Sequence, residues 1–109
     1  DVYKRQDLLY VMTEGKHSQI TFYEHEEKER KIKTITVGEN IKEIEKKMDQ
    51  ETCYRAHRSV IVQFNHIVQI KNNIITMEDG QEIQISRMKA KKFHEKFSDY
   101  MGVKYRRDK

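Results

Sequence analysis

Two short stretches concentrate side chains that can hold an anion. Arg55-Ala56-His57-Arg58-Ser59 sets two guanidiniums, an imidazole and a hydroxyl between a half-buried segment and an apolar run. Arg58 can present a bidentate fork to guanine or to phosphate. His57 and Ser59 are better suited to fixing the loop by hydrogen bonds, and His57 reads as a satisfied, partly buried histidine. The second stretch begins at Ser86-Arg87 and carries Lys89, Lys91 and Lys92 through two turns of helical period. Ser86 is a fair N-cap, but Lys89 stands where a capping-box Glu would sit. Exposed cations there are repelled by the positive end of the helix at about 0.3–1 kcal/mol each. Free N–H groups beside clustered Lys and Arg make an anion cradle, and a phosphate backbone would relieve the repulsion. The same residues are also good helix formers on a solvated face, which needs no ligand. Lys16-His17 lies at a turn between the first two strands. Taken alone His17 is a surface histidine, although a turn tip held by strands can reach into a groove.

Catalytic chemistry has little to stand on. Cys53 and His57 lack an orienting third group. There is no Gly-rich phosphate loop, no His-Glu-x-x-His and no paired catalytic carboxylate motif. Five scattered histidines and one cysteine give no zinc spacing. The expectation is no enzyme, no cofactor and no metal.

Charge tells the same story by position. Residues 1–52 hold ten Lys and Arg against twelve Asp and Glu, whereas residues 53–109 hold twelve against six. Segment 87–109 alone holds nine against three, so the whole surplus lies in the last fifth of the chain. A focused basic segment points to a polyanion, with nucleic acid or an anionic membrane first in line. The 109 residues suit one domain. The longest apolar run, Leu8 to Met12, is too short for a membrane helix or a signal peptide. One cysteine excludes an internal disulfide framework and fits a reducing, cytoplasmic setting. The chain does not begin with Met, so it reads as a fragment, a processed product or an artefact of how the sequence was obtained, which leaves open a part upstream.

The elements that must carry these tips follow from periodicity. Ile outnumbers Leu twelve to two, which favours strands. Leu8–Met12, 17–23 and 31–37 read as strands, with an acidic turn at 24–29 expected to point away from any duplex. Ile41, Ile44 and Met48 form one stripe of a helix over 39–48, acids first and lysines last. Val60–Val62, Ile67–Ile70, Ile74–Met77 and Glu82–Ile85 read as strands. Asp79-Gly80 is taken as a two-residue hairpin loop that puts Ile74 and Thr76 on one face with Ile83 and Ile85. From Arg87 a helix carries Ala90, Phe93, Phe97 and Met101, with Tyr100 beside them, and Gly102 stops it. The predicted order is β-β-β-α-β-β-β-β-α.

Tyr54-Arg55-Ala56-His57-Arg58-Ser59-Val60-Ile61-Val62, followed by Asn65-His66-Ile67, resembles the signature of the LytTR DNA-binding domain family. The resemblance covers about Asp7 to Phe97. It includes Tyr10 with Glu14-Gly15-Lys16-His17, the helix at Ile41 to Met48, the Asp79-Gly80 hairpin and Ile85-Ser86-Arg87. Cys53 replaces a usual aromatic, and Gln63 stands where Asn is common. The resemblance implies a mainly β fold: an elongated, antiparallel multi-sheet domain with a short central helix and a C-terminal helix. Residues 1–6 match no apolar period and are read as linker or artefact, which leaves the domain at 7–101 and a basic tail at 102–109 after the Gly102 stop. The resemblance implies a sequence-specific double-stranded DNA-binding domain of a bacterial transcriptional regulator, the output half of a response regulator. The resemblance places base readers on loops at His17, Arg58 and Arg87, and the reading of the residues themselves adds Lys16, Ser59, Ser86, Lys89 and Lys92 as phosphate contacts. Implied partners are duplex DNA, a second copy on DNA, and an upstream receiver domain answering to a sensor histidine kinase, with no membrane. The competing readings are a basic β module that binds RNA or an acidic protein.

Overall fold

The computed structural model describes residue 3 and residues 5–108, with side chains of the final helix described as far as residue 103. Eight strands and two helices run in the order β1 (Leu8–Glu14), β2 (His17–Glu26), β3 (Glu29–Val37), α1 (Ile41–Lys47), β4 (Cys53–His57), β5 (Val60–Gln63), β6 (Ile67–Lys71), β7 (Ile74–Met77), β8 (Glu82–Gln84) and α2 (Ala90–Asp108). Two antiparallel sheets result, one ordered β3-β2-β1-β5-β4 and one ordered β6-β7-β8.

The five-stranded sheet is covered on both faces, which explains why its central strands are apolar without alternation. On one face Leu8, Val11, Ile20 and Ile61 pack under Ile41, Ile44 and Met48 of the α1 segment. On the other, Leu9, Tyr10, Val60, Val62 and Phe64 meet Ile75, Met77, Ile83 and Ile85 of the small sheet and Phe93 of α2. Consecutive Leu9 and Tyr10 both serve the second face because the β1–β2 register shifts between Leu8 and Tyr10. Such a bulge turns two neighbours to one side.

Helix α1 is shorter than the predicted 39–48. Asn40 caps it, accepting the Glu43 N–H at 3.0 Å while the Glu43 carboxylate accepts the Asn40 N–H at 3.4 Å. This reciprocal box ends the chain's extended approach and starts the helix at Ile41. Glu39, just outside it, takes the Tyr3 hydroxyl and the Lys47 ammonium. Tyr3 is buried among Leu8, Ile20 and Ile41. Closer to β1, the Gln6 carbonyl faces His66 Nε2.

Four expectations are corrected. First, Cys53–His57 is a strand of its own, so the described residues form eight strands rather than seven. Its Arg and His hide the alternation. Second, most of the acidic 24–29 stretch is strand. Glu26 pairs with Glu29, leaving only Glu27-Lys28 as the turn. Lys33 bridges Glu24 at 2.7 Å and Glu26 at 3.4 Å, and cross-strand ion pairs let charged strand ends stay in register. Third, Thr76 pairs with Glu82, so the hairpin loop has three residues, Glu78-Asp79-Gly80, with Gly80 at φ +89°. That one-residue slip exchanges the faces. Ile75 and Met77 are the buried partners of Ile83 and Ile85, and Ile74 is exposed. Fourth, α2 passes through Gly102 to Asp108. A glycine inside a helix costs about 1 kcal/mol relative to Ala and need not end it. Along α2, Phe93, Phe97 and Tyr100 pack on Phe64 at ring distances of 5.5–5.6 Å, whereas Met101 is exposed.

Candidate nucleic-acid interface

Three tips lie side by side because long-range backbone bonds stitch their bases together. The β1–β2 tip is a two-residue turn, Gly15-Lys16, with Glu14 opposite His17 and Gly15 at φ +59°. Glycine takes that left-handed conformation without a Cβ clash. The next tip is Arg58-Ser59 between β4 and β5, where His57 pairs with Val60. The Thr13 N–H donates to the Ser59 carbonyl at 2.9 Å, joining the first tip to the second. The third is the junction of β8 and α2, where the Ser86 N–H donates to the Ala56 carbonyl at 2.9 Å. Residues 16–17, 58–59 and 86–87 therefore share one end of the molecule. The Glu27-Lys28 turn lies at the far end of β2, nine residue steps from His17 and hence ~30 Å away.

The central tip is held by its own neighbours. Arg55, its side chain only 14% exposed, directs Nε (3.2 Å) and Nη2 at the Arg58 carbonyl and Nη1 at Glu45 Oε1 (3.4 Å). The two arginines so divide their work: Arg55 is spent inside, and Arg58 projects. His57 Nδ1 accepts the Ser59 N–H at 3.1 Å, which requires that nitrogen to be unprotonated. Burial lowers the His57 pKa, helped by the charges of Arg55, Arg58 and Lys89, so the ring is neutral as the bond demands. His57 is thus the loop-fixing residue the sequence suggested.

At the third tip Ser86 is extended (φ −66°, ψ 146°) and its hydroxyl accepts the Lys89 N–H at 3.3 Å, capping a 3-10 turn over Arg87–Lys89 that leads into α2. Lys89 turns back, its Nζ 5.8 Å from the Tyr54 ring centroid. Arg87 and Met88 point into solvent, as does Lys92 on α2. Among the described residues the side chains of Lys16, His17, Arg58, Arg87 and Lys92 make no hydrogen bond or ion pair. The structure thus groups His17, Lys16, Arg58, Ser59, Ser86 and Arg87 at the tips, sets Lys92 one and a half turns further along, and places the Lys89 ammonium against the body.

Other chemistry has no comparable setting. The Cys53 thiol is buried, its pKa pushed up to about 11 mainly by burial, and it donates to Gln63 Oε1 at 3.4 Å. Among the described residues no three His, Cys, Asp or Glu side chains converge as a metal site. No helix there is long and apolar enough to cross a membrane. The sequence reading overlooked the Asn72-Asn73 turn, which packs beside the third tip. Two asparagines between apolar runs are a turn signal, but their position next to Arg87 depends on the pairing of β7 with β8.

The family model of the LytTr DNA-binding domain matches residues 2–98. The chain belongs to that family. This LytTr domain is 32% identical over 92 residues to the sensory transduction protein LytT of Bacillus subtilis. The match takes in 79% of the chain but 34% of that protein, so the chain spans about a third of this relative. The fold is that of a solved LytTr DNA-binding domain from Bacillus cereus, part of a protein assigned as a methyl-accepting/DNA response regulator. The TM-score is 0.66 at 23% identity, over 83% of this chain and 80% of the other. The mainly antiparallel β architecture with two helices agrees with the family expectation.

Proposed function

We propose that this LytTr domain reads a specific duplex sequence with the three adjoining tips. Arg87 and Arg58 address base edges, guanine N7 and O6 being the acceptors that suit a guanidinium fork. His17 takes a base or the adjacent phosphate. Lys16, Ser59, Ser86, Lys89 and Lys92 hold phosphates and set register, Lys89 by swinging off Tyr54. The observation that carries the reading is that Arg58 and Arg87 are exposed and unpaired on tips tied together through Thr13–Ser59 and Ala56–Ser86. An exposed cation with no internal partner keeps its full capacity for an anionic one.

The domain serves as the output part of a longer bacterial regulator in the cytoplasm, with an upstream receiver controlled by a sensor kinase, and it pairs with a second copy on DNA. It works by binding and has no catalytic role. Selection of bound sites from random duplexes tests the reading. A defined consensus is expected, and Arg87→Ala is expected to cost about 1–3 kcal/mol while relaxing one position of it. Recovery of no consensus, or a preference for single-stranded RNA, overturns it.

A further inference from the structure

We propose that the β6–β7 turn, Lys71-Asn72-Asn73, is a fourth contact on duplex DNA, engaging backbone phosphates beyond Arg87 on the side away from Arg58. The proposal rests on the DNA-binding reading above and extends the same interface.

The placement follows from topology. The tips run in the order β1–β2, β4–β5, β8–α2, and β7 lies next to β8 with β6 beyond it. Lys71 pairs with Ile74, leaving Asn72-Asn73 as a two-residue turn at the end of the small sheet where β8 leads into Ser86-Arg87. The two sheets are separate, and at this end they are joined by the bond from the Ser86 N–H to the Ala56 carbonyl, which sets the turn on the far side of β8 from the β4–β5 tip.

The turn is held in place, and its outer groups are unspent. Asn72 and Asn73 both adopt left-handed backbone, at φ 54° and 60°. Asn is the non-glycine residue that best tolerates this. The Asn73 carbonyl accepts the Ile85 N–H at 2.8 Å and the Gln84 side-chain amide at 3.1 Å. The Asn73 Oδ1 lies 2.7 Å from His94 Nε2 on α2, which must therefore carry the proton of that bond. Asn73 thus locks the turn to the two elements that flank Arg87. In contrast, the exposed side chains of Lys71 and Asn72 make no hydrogen bond or ion pair among the described residues. An ammonium and an amide on a pinned turn are phosphate donors whose backbone is already ordered.

The test uses the 109-residue chain and the duplex it selects from a random pool. Lys71→Glu combined with Asn72→Gly is compared with Lys42→Glu on α1 as a charge-matched control. The double variant is expected to bind about tenfold more weakly at 0.1 M salt, on selected and random duplexes alike. Its salt slope should be shallower by ~0.9 for each phosphate it no longer neutralises. Hydroxyl-radical protection of the sugars beside the outermost phosphates on the Arg87 side should disappear, with the thermal midpoint unchanged. If the double variant matches the Lys42→Glu control in affinity, slope and footprint while Arg87→Ala is impaired, the fourth contact is wrong and the three-tip reading stands. If the parent chain itself retains no duplex, both fall.

Discussion

Arg55 and Arg58 sit three residues apart in one motif, yet the structure gives them opposite tasks, and their alanine variants should separate cleanly. Arg58 is exposed with no hydrogen bond or ion pair from its side chain, so Arg58→Ala should change stability by no more than ~0.5 kcal/mol. Its loss should appear in binding, at about 1–3 kcal/mol or roughly 5- to 150-fold in Kd. Arg55 is largely buried, and its fork holds the Arg58 carbonyl and Glu45. Hydrogen bonds to a charged group contribute ~1.5–3 kcal/mol, and the arginine stem loses packing as well. The Arg55–Glu45 contact is long and partly solvated, so the low end of that range applies, about 1.5–2 kcal/mol. In a domain of this size that lowers the unfolding midpoint by roughly 6–16 °C. Thermal unfolding and anisotropy titration of the selected duplex, run on both variants, make the comparison. Equal destabilisation by the two changes, or a stable Arg55→Ala protein, would refute the division of labour.

Phe93 is fully buried against Tyr54, Phe64 and Phe97 where both sheets meet α2, so Phe93→Ala should cost about 3–5 kcal/mol in denaturant unfolding. His57 has a folded pKa below its ordinary value, so the unfolded chain takes up the proton first. Its contribution therefore erodes as pH falls from about 6.5 toward the folded pKa, and His57→Gln should flatten the stability curve across that window. Glu78 is lowered on balance: burial pushes it up, but hydrogen bonds from Tyr23 and His66 outweigh burial. The stability it lends is present above the ordinary carboxylate range and lost as pH falls through the folded value. Glu78→Gln should accordingly reduce the acid sensitivity of unfolding below about pH 4.5.

Local rules carried the sequence reading as far as local physics reaches. The period change at Ile41-Ile44-Met48, the apolar run at Leu8–Met12 and the Phe93–Phe97 stripe each mark an element that exists. The failures arose where tertiary context decides. Glu24 and Glu26 remain in strands because Lys31 and Lys33 stand across from them. Gly102 stays helical although a glycine is a common stop. The Asp79-Gly80 loop gained one residue, which sequence alone did not distinguish from the shorter turn. At the interface, the charge pattern itself marked Arg58 and Arg87, whereas His17 taken alone is a surface histidine. Their grouping came from a family resemblance, and its physical cause is two backbone bonds spanning 46 and 30 residues, Thr13–Ser59 and Ala56–Ser86.

The central claim is that these tips face the duplex together. Amide shift mapping of the labelled chain, titrated with its selected site, tests this most directly. The largest changes should fall at residues 15–17, 57–59 and 86–89, leaving the Glu27-Lys28 turn and α1 undisturbed. Changes centred on β3 or α1, with the three tips silent, would contradict the account.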